Sequence, residues 1–144
     1  MTRLGADKAV DYTAANWPDQ VLEATGGNGV NLIMESVGGN IASECLRCWA
    51  PGARLVIFGK ASGQPAVISG DDLLFGNRTV YGLGVGTVLE NETLMREAMD
   101  QLFEWLQAGL IRLQIGQVYQ LRDAAQAHRD LVSRKTTGKL VLMP

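Results

Sequence analysis

Few stretches of this chain combine reactive side chains with a backbone that a ligand could approach, and the densest is Phe58-Gly59-Lys60-Ala61-Ser62-Gly63. Gly59 and Gly63 strip side chains from the loop, while Lys60 offers a positive charge and Ser62 a hydroxyl. The residues leading in, Leu55-Val56-Ile57-Phe58, form an apolar run with nothing polar to face water, which suits a strand buried on both faces of a parallel sheet. Lys60 and Ser62 then fall at the carboxyl end of that strand, where open α/β sheets hold their ligands. An ordinary strand exit that carries a lysine fits the same residues.

The remaining candidates for chemistry are sparse. Cys45 and Cys48 have the C-x-x-C spacing of a redox pair or half a zinc site. Yet Ala42, Cys45, Leu46, Cys48 and Trp49 recur at helical spacing, so the sulfurs fill the buried face of a helix. A zinc site needs two further ligands, and His128 is the single histidine, on a helix beside Arg129 and Asp130. Glu35, near a strand end, is the one carboxylate in a credible pocket position, and it has no partner for paired acid/base work. Asp71 and Asp72 suit a solvated turn or a helix cap. The G-x-G of Gly82 and Gly84 imitates a dinucleotide fingerprint, but Thr87 stands where its last glycine belongs and no following strand ends in an acid. These glycines read as close-packing or bulge positions. No catalytic residue and no metal ligand set is expected.

The elements that must position the loop follow from the apolar spacing. Lys8 to Tyr12 is a short strand, and Pro18 opens a helix whose apolar face is Val21, Leu22 and Ala24 and whose end is Gly26-Gly27-Asn28-Gly29. Val30 to Val37 is a second strand stopping at Gly38-Gly39; Asn40 caps a helix through Trp49, and Pro51-Gly52 breaks it before the strand Arg54 to Phe58. Strand, helix and strand at this spacing make a parallel βαβ unit. Residues 61 to 78 are loose, Thr79 to Val85 is a strand, Thr93 to Leu110 is a helix capped by Asn91 or Thr93, and Gln114 to Leu121 is a strand. Asp123 caps a helix bearing Ala124, Ala127, Leu131 and Val132, and Gly138 to Met143 is the last strand. There is no repeat, low-complexity tract or linker, so residues 1 to 144 are expected to form one domain.

Composition bounds what such a domain can serve. The chain has 144 residues, 47% hydrophobic and 19% charged, enough for a single sizeable core. A formal charge of −2 and a pI near 5.3 supply no basic field for nucleic acid. No apolar run reaches the roughly 18 residues of a membrane span, and Met1 to Asp7 lacks the apolar core of a signal peptide. A cytoplasmic protein is expected.

Taken in order, Leu4-Gly-Ala-Asp7, Val10-Asp-Tyr12, Thr25-Gly-Gly-Asn-Gly-Val30, Glu35-Ser-Val-Gly-Gly39, Pro51-Gly-Ala-Arg54, Phe58-Gly-Lys-Ala-Ser-Gly63, Ala127-His128-Arg129 and Gly138-Lys-Leu-Val-Leu142 form a pattern across essentially the whole chain. It resembles the C-terminal part of the medium-chain dehydrogenase/reductase superfamily, and within it the zinc-free NADPH:quinone oxidoreductases related to ζ-crystallin. The resemblance implies an α/β fold: an incomplete Rossmann-like parallel sheet lacking its first two strands, followed by C-terminal helices and strands. It implies hydride transfer from NADPH to a quinone or an activated alkene, the protein placing the nicotinamide against the acceptor. By the same resemblance Tyr12 lies near the adenosine end of the cofactor. Ser36, Val37 and Gly38 line the cofactor cleft, and Phe58, Gly59, Lys60, Ala61 and Ser62 pass under the nicotinamide and its ribose. Arg134 makes a C-terminal cofactor contact. Lys60 departs from the family, which often has Asn there; a lysine reaches a phosphate or ribose oxygen instead.

In the family a catalytic domain, two strands and a glycine-rich pyrophosphate turn precede this region, and the acceptor pocket lies largely in that domain. The expectation is therefore a fragment that keeps the cofactor-facing loop, binds NADPH weakly and has little reductase activity alone. An alternative is a non-catalytic interaction module, because members of the family dimerise by pairing the strand that corresponds to Thr79 to Val85.

Overall fold

The computed structural model describes residues 2–144 and divides into two compact units, Met1–Glu90 and Asn91–Pro144. In the first, α1 (Trp17–Ala24) carries Pro18 in its opening turn, where a missing N–H leaves nothing unpaired. It precedes β1 (Val30–Glu35), α2 (Gly39–Cys45) and β2 (Trp49–Ile57). Then come α3 (Gly70–Leu74), β3 (Thr79–Gly82) and α4 (Val85–Leu89). The strands form one parallel sheet in the order β1-β2-β3, with Leu32 opposite Arg54, Glu35 opposite Ile57 and Leu55 opposite Val80. Leu55, fully buried, is the centre of the core with Trp49, Ala50 and Ala53, and Ile33, Ile57, Ile68, Leu73 and Val80 pack around them. Trp17, Cys45 and Cys48 make a second cluster with Val10, Val21, Leu22 and Ile41.

The βαβ unit centred on Val30–Ile57 is as the spacing predicts, but its joints differ. The helix ends at Cys45, a 3-10 turn covers Leu46–Cys48, and β2 already begins at Trp49. Pro51 and Gly52 therefore lie inside the strand. They are accommodated because β2 runs from Trp49 to Arg54 while β1 runs only from Val30 to Leu32, a local slip in register that frees Pro51 from the ladder. Arg78 closes this bulge: its guanidinium lies 5.0 Å from the centroid of the Trp49 ring and donates to the carbonyls of Trp49 and Ala50.

Lys8 to Tyr12 is not a strand. Asp11 accepts from the Thr13 amide at 2.9 Å and its hydroxyl at 2.7 Å, a local turn that competes with extended backbone, and among the described residues β1 lies at the sheet edge without a further strand to pair. The segment Thr79 to Val85 is likewise divided: β3 stops at Gly82, and Val85 starts α4. The loose stretch 61 to 78 holds the short helix α3, fixed by a capping box in which Ser69 accepts from the Asp72 amide and the Asp72 carboxylate accepts from the Ser69 amide.

In the second unit α5 (Glu92–Gln107) is capped by Asn91, whose side chain accepts from the Leu94 amide at 3.0 Å. Strands β4 (Ile115–Gln120) and β5 (Lys139–Met143) pair in parallel, joined through a 3-10 turn (Leu121–Asp123) and α6 (Ala124–Val132). Gly116 permits the close pairing, since a Cβ there would meet the Thr137 carbonyl.

Candidate functional site

Two backbone segments leave the carboxyl ends of adjacent strands in the first unit: Ser36–Gly38 after β1, and Phe58–Gln64 after β2. Sheet pairing continues past both strands as a loop-to-loop ladder. Phe58 donates to the Glu35 carbonyl at 2.9 Å, Ala61 to that of Ser36 at 2.9 Å, and Ser62 to that of Val37 at 2.8 Å; Gly39 in turn donates to Pro65 at 3.1 Å. A loop tied by its backbone at this many points is a fixed ledge.

Glycine makes the approach possible at two places. Gly38 has φ +74, in the left-handed region, and a Cβ there would lie 2.2 Å from the Gln64 carbonyl oxygen. Gly59 has an ordinary φ, but a Cβ on it would lie 2.8 Å from the Ser36 oxygen. Both glycines thus serve the contact between the two segments.

Glu35 is where the structure adds most to the sequence. It is buried, and its Oε1 accepts from the amides of Val37 at 2.6 Å and Gly38 at 2.8 Å; its Oε2 has no hydrogen-bond partner among the described residues. A carboxylate two and three residues ahead of these amides closes a turn with its own side chain. The acid directly before Ser-Val-Gly-Gly was the available signal.

On the ledge, Lys60 is exposed and makes no ion pair among the described residues, and the Phe58 ring is 45% exposed. Ser62 Oγ accepts from the Gln64 amide at 3.2 Å, so part of its capacity is spent within the loop. Tyr12, although its segment is a turn, lines an open groove with Thr13, Trp17, Asn40, Glu44 and Arg47. Asn40 follows Gly38-Gly39 directly, so this groove starts beside the ledge. Arg47 bridges Asp19 at 2.9 Å and Glu44 at 2.8 Å, which leaves it little free charge.

Arg134 belongs to the second unit, where it takes φ +58 just beyond α6 and donates its amide to Leu131 at 3.2 Å. His128 is exposed, beside an apolar hollow formed by Ala127, Leu131, Leu140 and Leu142. Cys45 and Cys48 are buried and unbridged, as the helical spacing predicts. Burial, then the neighbouring Cys48 and Glu35, pushes the Cys45 thiol up to about 12. Among the described residues no three His, Cys, Asp or Glu side chains converge as metal ligands.

A family model described as zinc-binding dehydrogenase matches residues 4–142. The quinone oxidoreductase of Pseudomonas aeruginosa is 34% identical over 145 residues, covering 97% of this chain and 43% of that protein. The crystal structure of a Pseudomonas syringae quinone oxidoreductase superposes with a TM-score of 0.85 at 30% identity, covering 99% of this chain and 44% of that one. That of Escherichia coli quinone oxidoreductase complexed with NADPH gives 0.85 at 28% identity, covering 99% and 45%. The chain thus spans less than half the length of these relatives. The parallel strands and helices superpose on these structures as a Rossmann-like α/β arrangement, and by the match over residues 4–142 the chain belongs to the zinc-binding dehydrogenase family.

Proposed function

We propose that this chain supplies the nicotinamide side of a cofactor site in a cytoplasmic, NADPH-dependent oxidoreductase of the quinone reductase type, acting on a quinone or an activated alkene. The observation that carries this reading is the ladder binding Ser36–Gly38 to Phe58–Ser62, a rigid surface at the carboxyl end of a parallel sheet. The donors present suit a dinucleotide. Phe58 offers an exposed aromatic ring for a flat heterocycle, Lys60 an unpaired cation for a phosphate or ribose oxygen, and Tyr12 a phenol at the groove that starts beside Gly38-Gly39. Val37, Gly38, Gly59, Ala61 and Ser62 shape the ledge. NADPH brings the hydride; these residues orient its ring and keep it on one face. NADPH is read from the Escherichia coli relative, which was solved with it.

We extend the proposal to the zinc-free branch, which the ordered motifs of the chain resemble. Its family is described as zinc-binding, but among the described residues no three His, Cys, Asp or Glu side chains converge as a ligand set. We read residues 1–144 as one partial nucleotide-binding domain because the family model matches residues 4–142. By itself this span is expected to hold NADPH weakly and to reduce little. A fluorescence titration tests this: a dissociation constant above about 1 μM, roughly −8 kcal/mol, is expected, and sub-micromolar binding overturns the expectation of a weak fragment. A second reading, a dimerisation fragment, draws support from β3, which lies at a sheet edge with its Tyr81 53% exposed and Leu83, just beyond it, 51% exposed. Light scattering separates the two, since a dimer that ignores NADPH favours the second.

A further inference from the structure

We infer that Glu35 is the positioning residue of this site: its buried carboxylate fixes the Ser36–Gly38 turn in the one conformation against which the Phe58–Ser62 loop can lie. The apolar strand β1 ends in this acid, which is only 3% exposed. A carboxylate taken from water needs compensating hydrogen bonds or charges, and no Lys, Arg or His pairs with it among the described residues. Its compensation comes from the two backbone amides of Val37 and Gly38 on Oε1.

Those amides have left the sheet and have no strand to receive them. With the Gly38 N–H held by Glu35, the Val37 carbonyl of the same trans peptide points the opposite way, where Ser62 donates to it at 2.8 Å. The Val37 N–H, also held by Glu35, likewise turns the Ser36 carbonyl of its peptide towards Ala61, which donates to it at 2.9 Å. The turn is therefore gripped on its N–H side by the carboxylate and on its C=O side by the loop. Every hydrogen bond found for the Glu35 side chain serves this turn. A carboxylate kept for general stability would have no reason to confine itself so.

The consequence for a ligand rests on the proposed cofactor site, whereas the grip itself does not. Three forms of the full chain test both: wild type, Glu35→Ala, and Glu35→Gln, whose amide oxygen still accepts. Backbone hydrogen exchange is read at Ala61 and Ser62, with Leu55 and Val56 inside β2 as internal references, alongside a titration with NADPH. In Glu35→Ala, exchange at Ala61 and Ser62 is expected to quicken at least tenfold with Leu55 and Val56 unchanged, and NADPH binding to weaken at least tenfold. Glu35→Gln should restore part of both. If the alanine variant does not fold, the glutamine variant decides, through faster exchange at Ala61 and Ser62 and upfield shifts of the Val37 and Gly38 amide protons. Exchange at Ala61 and Ser62 that stays at the wild-type rate, or that quickens equally at Leu55 and Val56, overturns the positioning role. A wild-type chain that ignores NADPH at millimolar concentration overturns the cofactor reading instead, and the exchange pattern still judges Glu35.

Discussion

The space where a Cβ of Gly59 would sit is taken by the carbonyl oxygen of Ser36, 2.8 Å away, and that same oxygen receives the Ala61 amide at 2.9 Å. The φ of Gly59 lies outside the left-handed region, so the effect of Gly59→Ala is steric: the loop must lift from Ser36. The neighbour is backbone and cannot swing aside. We expect NADPH binding to fall about tenfold, near 1.4 kcal/mol, measured by calorimetric titration. An alanine variant that binds as wild type does would show that the loop contact does not shape the site.

Lys60 presents the opposite case, a side chain with no structural duty. Because it is exposed and unpaired among the described residues, Lys60→Gln should leave thermal stability within about 0.5 kcal/mol. An exposed charge pair contributes about 0.2–1 kcal/mol, so NADPH affinity should drop up to about fivefold at low salt and the difference should fade at high salt. Equal affinity at low salt would remove Lys60 from the site.

Leu55 tests the core beneath the ledge. It is fully enclosed between β1 and β3, among Ala53, Ile33 and Val80. Leu55→Ala should cost about 2–5 kcal/mol through lost transfer energy and a residual cavity. Urea unfolding followed by tryptophan fluorescence reads this directly, Trp17 and Trp49 both being buried. A loss below about 1 kcal/mol would mean that the sheet is not organised around this residue.

What the sequence disclosed and what it hid divide along physical lines. The apolar run at Leu55–Phe58 and the glycines around Lys60 disclosed the strand and its exit, but not burial on both faces: Leu55 alone is fully buried, Val56 and Ile57 are half-buried, and Phe58 lies beyond the strand, 45% exposed. Lys8–Tyr12 misled, because so short a segment shows only that a strand could form; pairing needs a neighbour, and Asp11 with Thr13 makes a turn instead. Pro51-Gly52 misled for the converse reason, as a register slip admits a proline that a regular ladder would refuse. The ladder between the two exits, and the carboxylate beneath it, depend on contacts between segments whose distance no local pattern encodes.

The cysteines give a prediction with a definite sign. Cys45 is raised from an ordinary 9.0 to about 12, chiefly by burial, with Cys48 and Glu35 adding to it. A native thiol so raised stays protonated at pH 8, so a thiol-disulfide reagent should label the folded chain slowly and both cysteines quickly in urea. Linkage then fixes the pH response. In the unfolded chain the thiolate forms near the ordinary value, in the folded chain only near 12, so the stabilisation is complete below about pH 9 and is lost as pH rises from there towards 12. Cys45→Ser, which does not titrate in this range, should be less stable at neutral pH yet show a smaller alkaline decline. Chemical denaturation at pH 8 and at pH 10.5 measures the difference. Rapid labelling of the native chain at pH 8, or an alkaline decline identical in the serine variant, would mean that Cys45 is not held as a buried thiol.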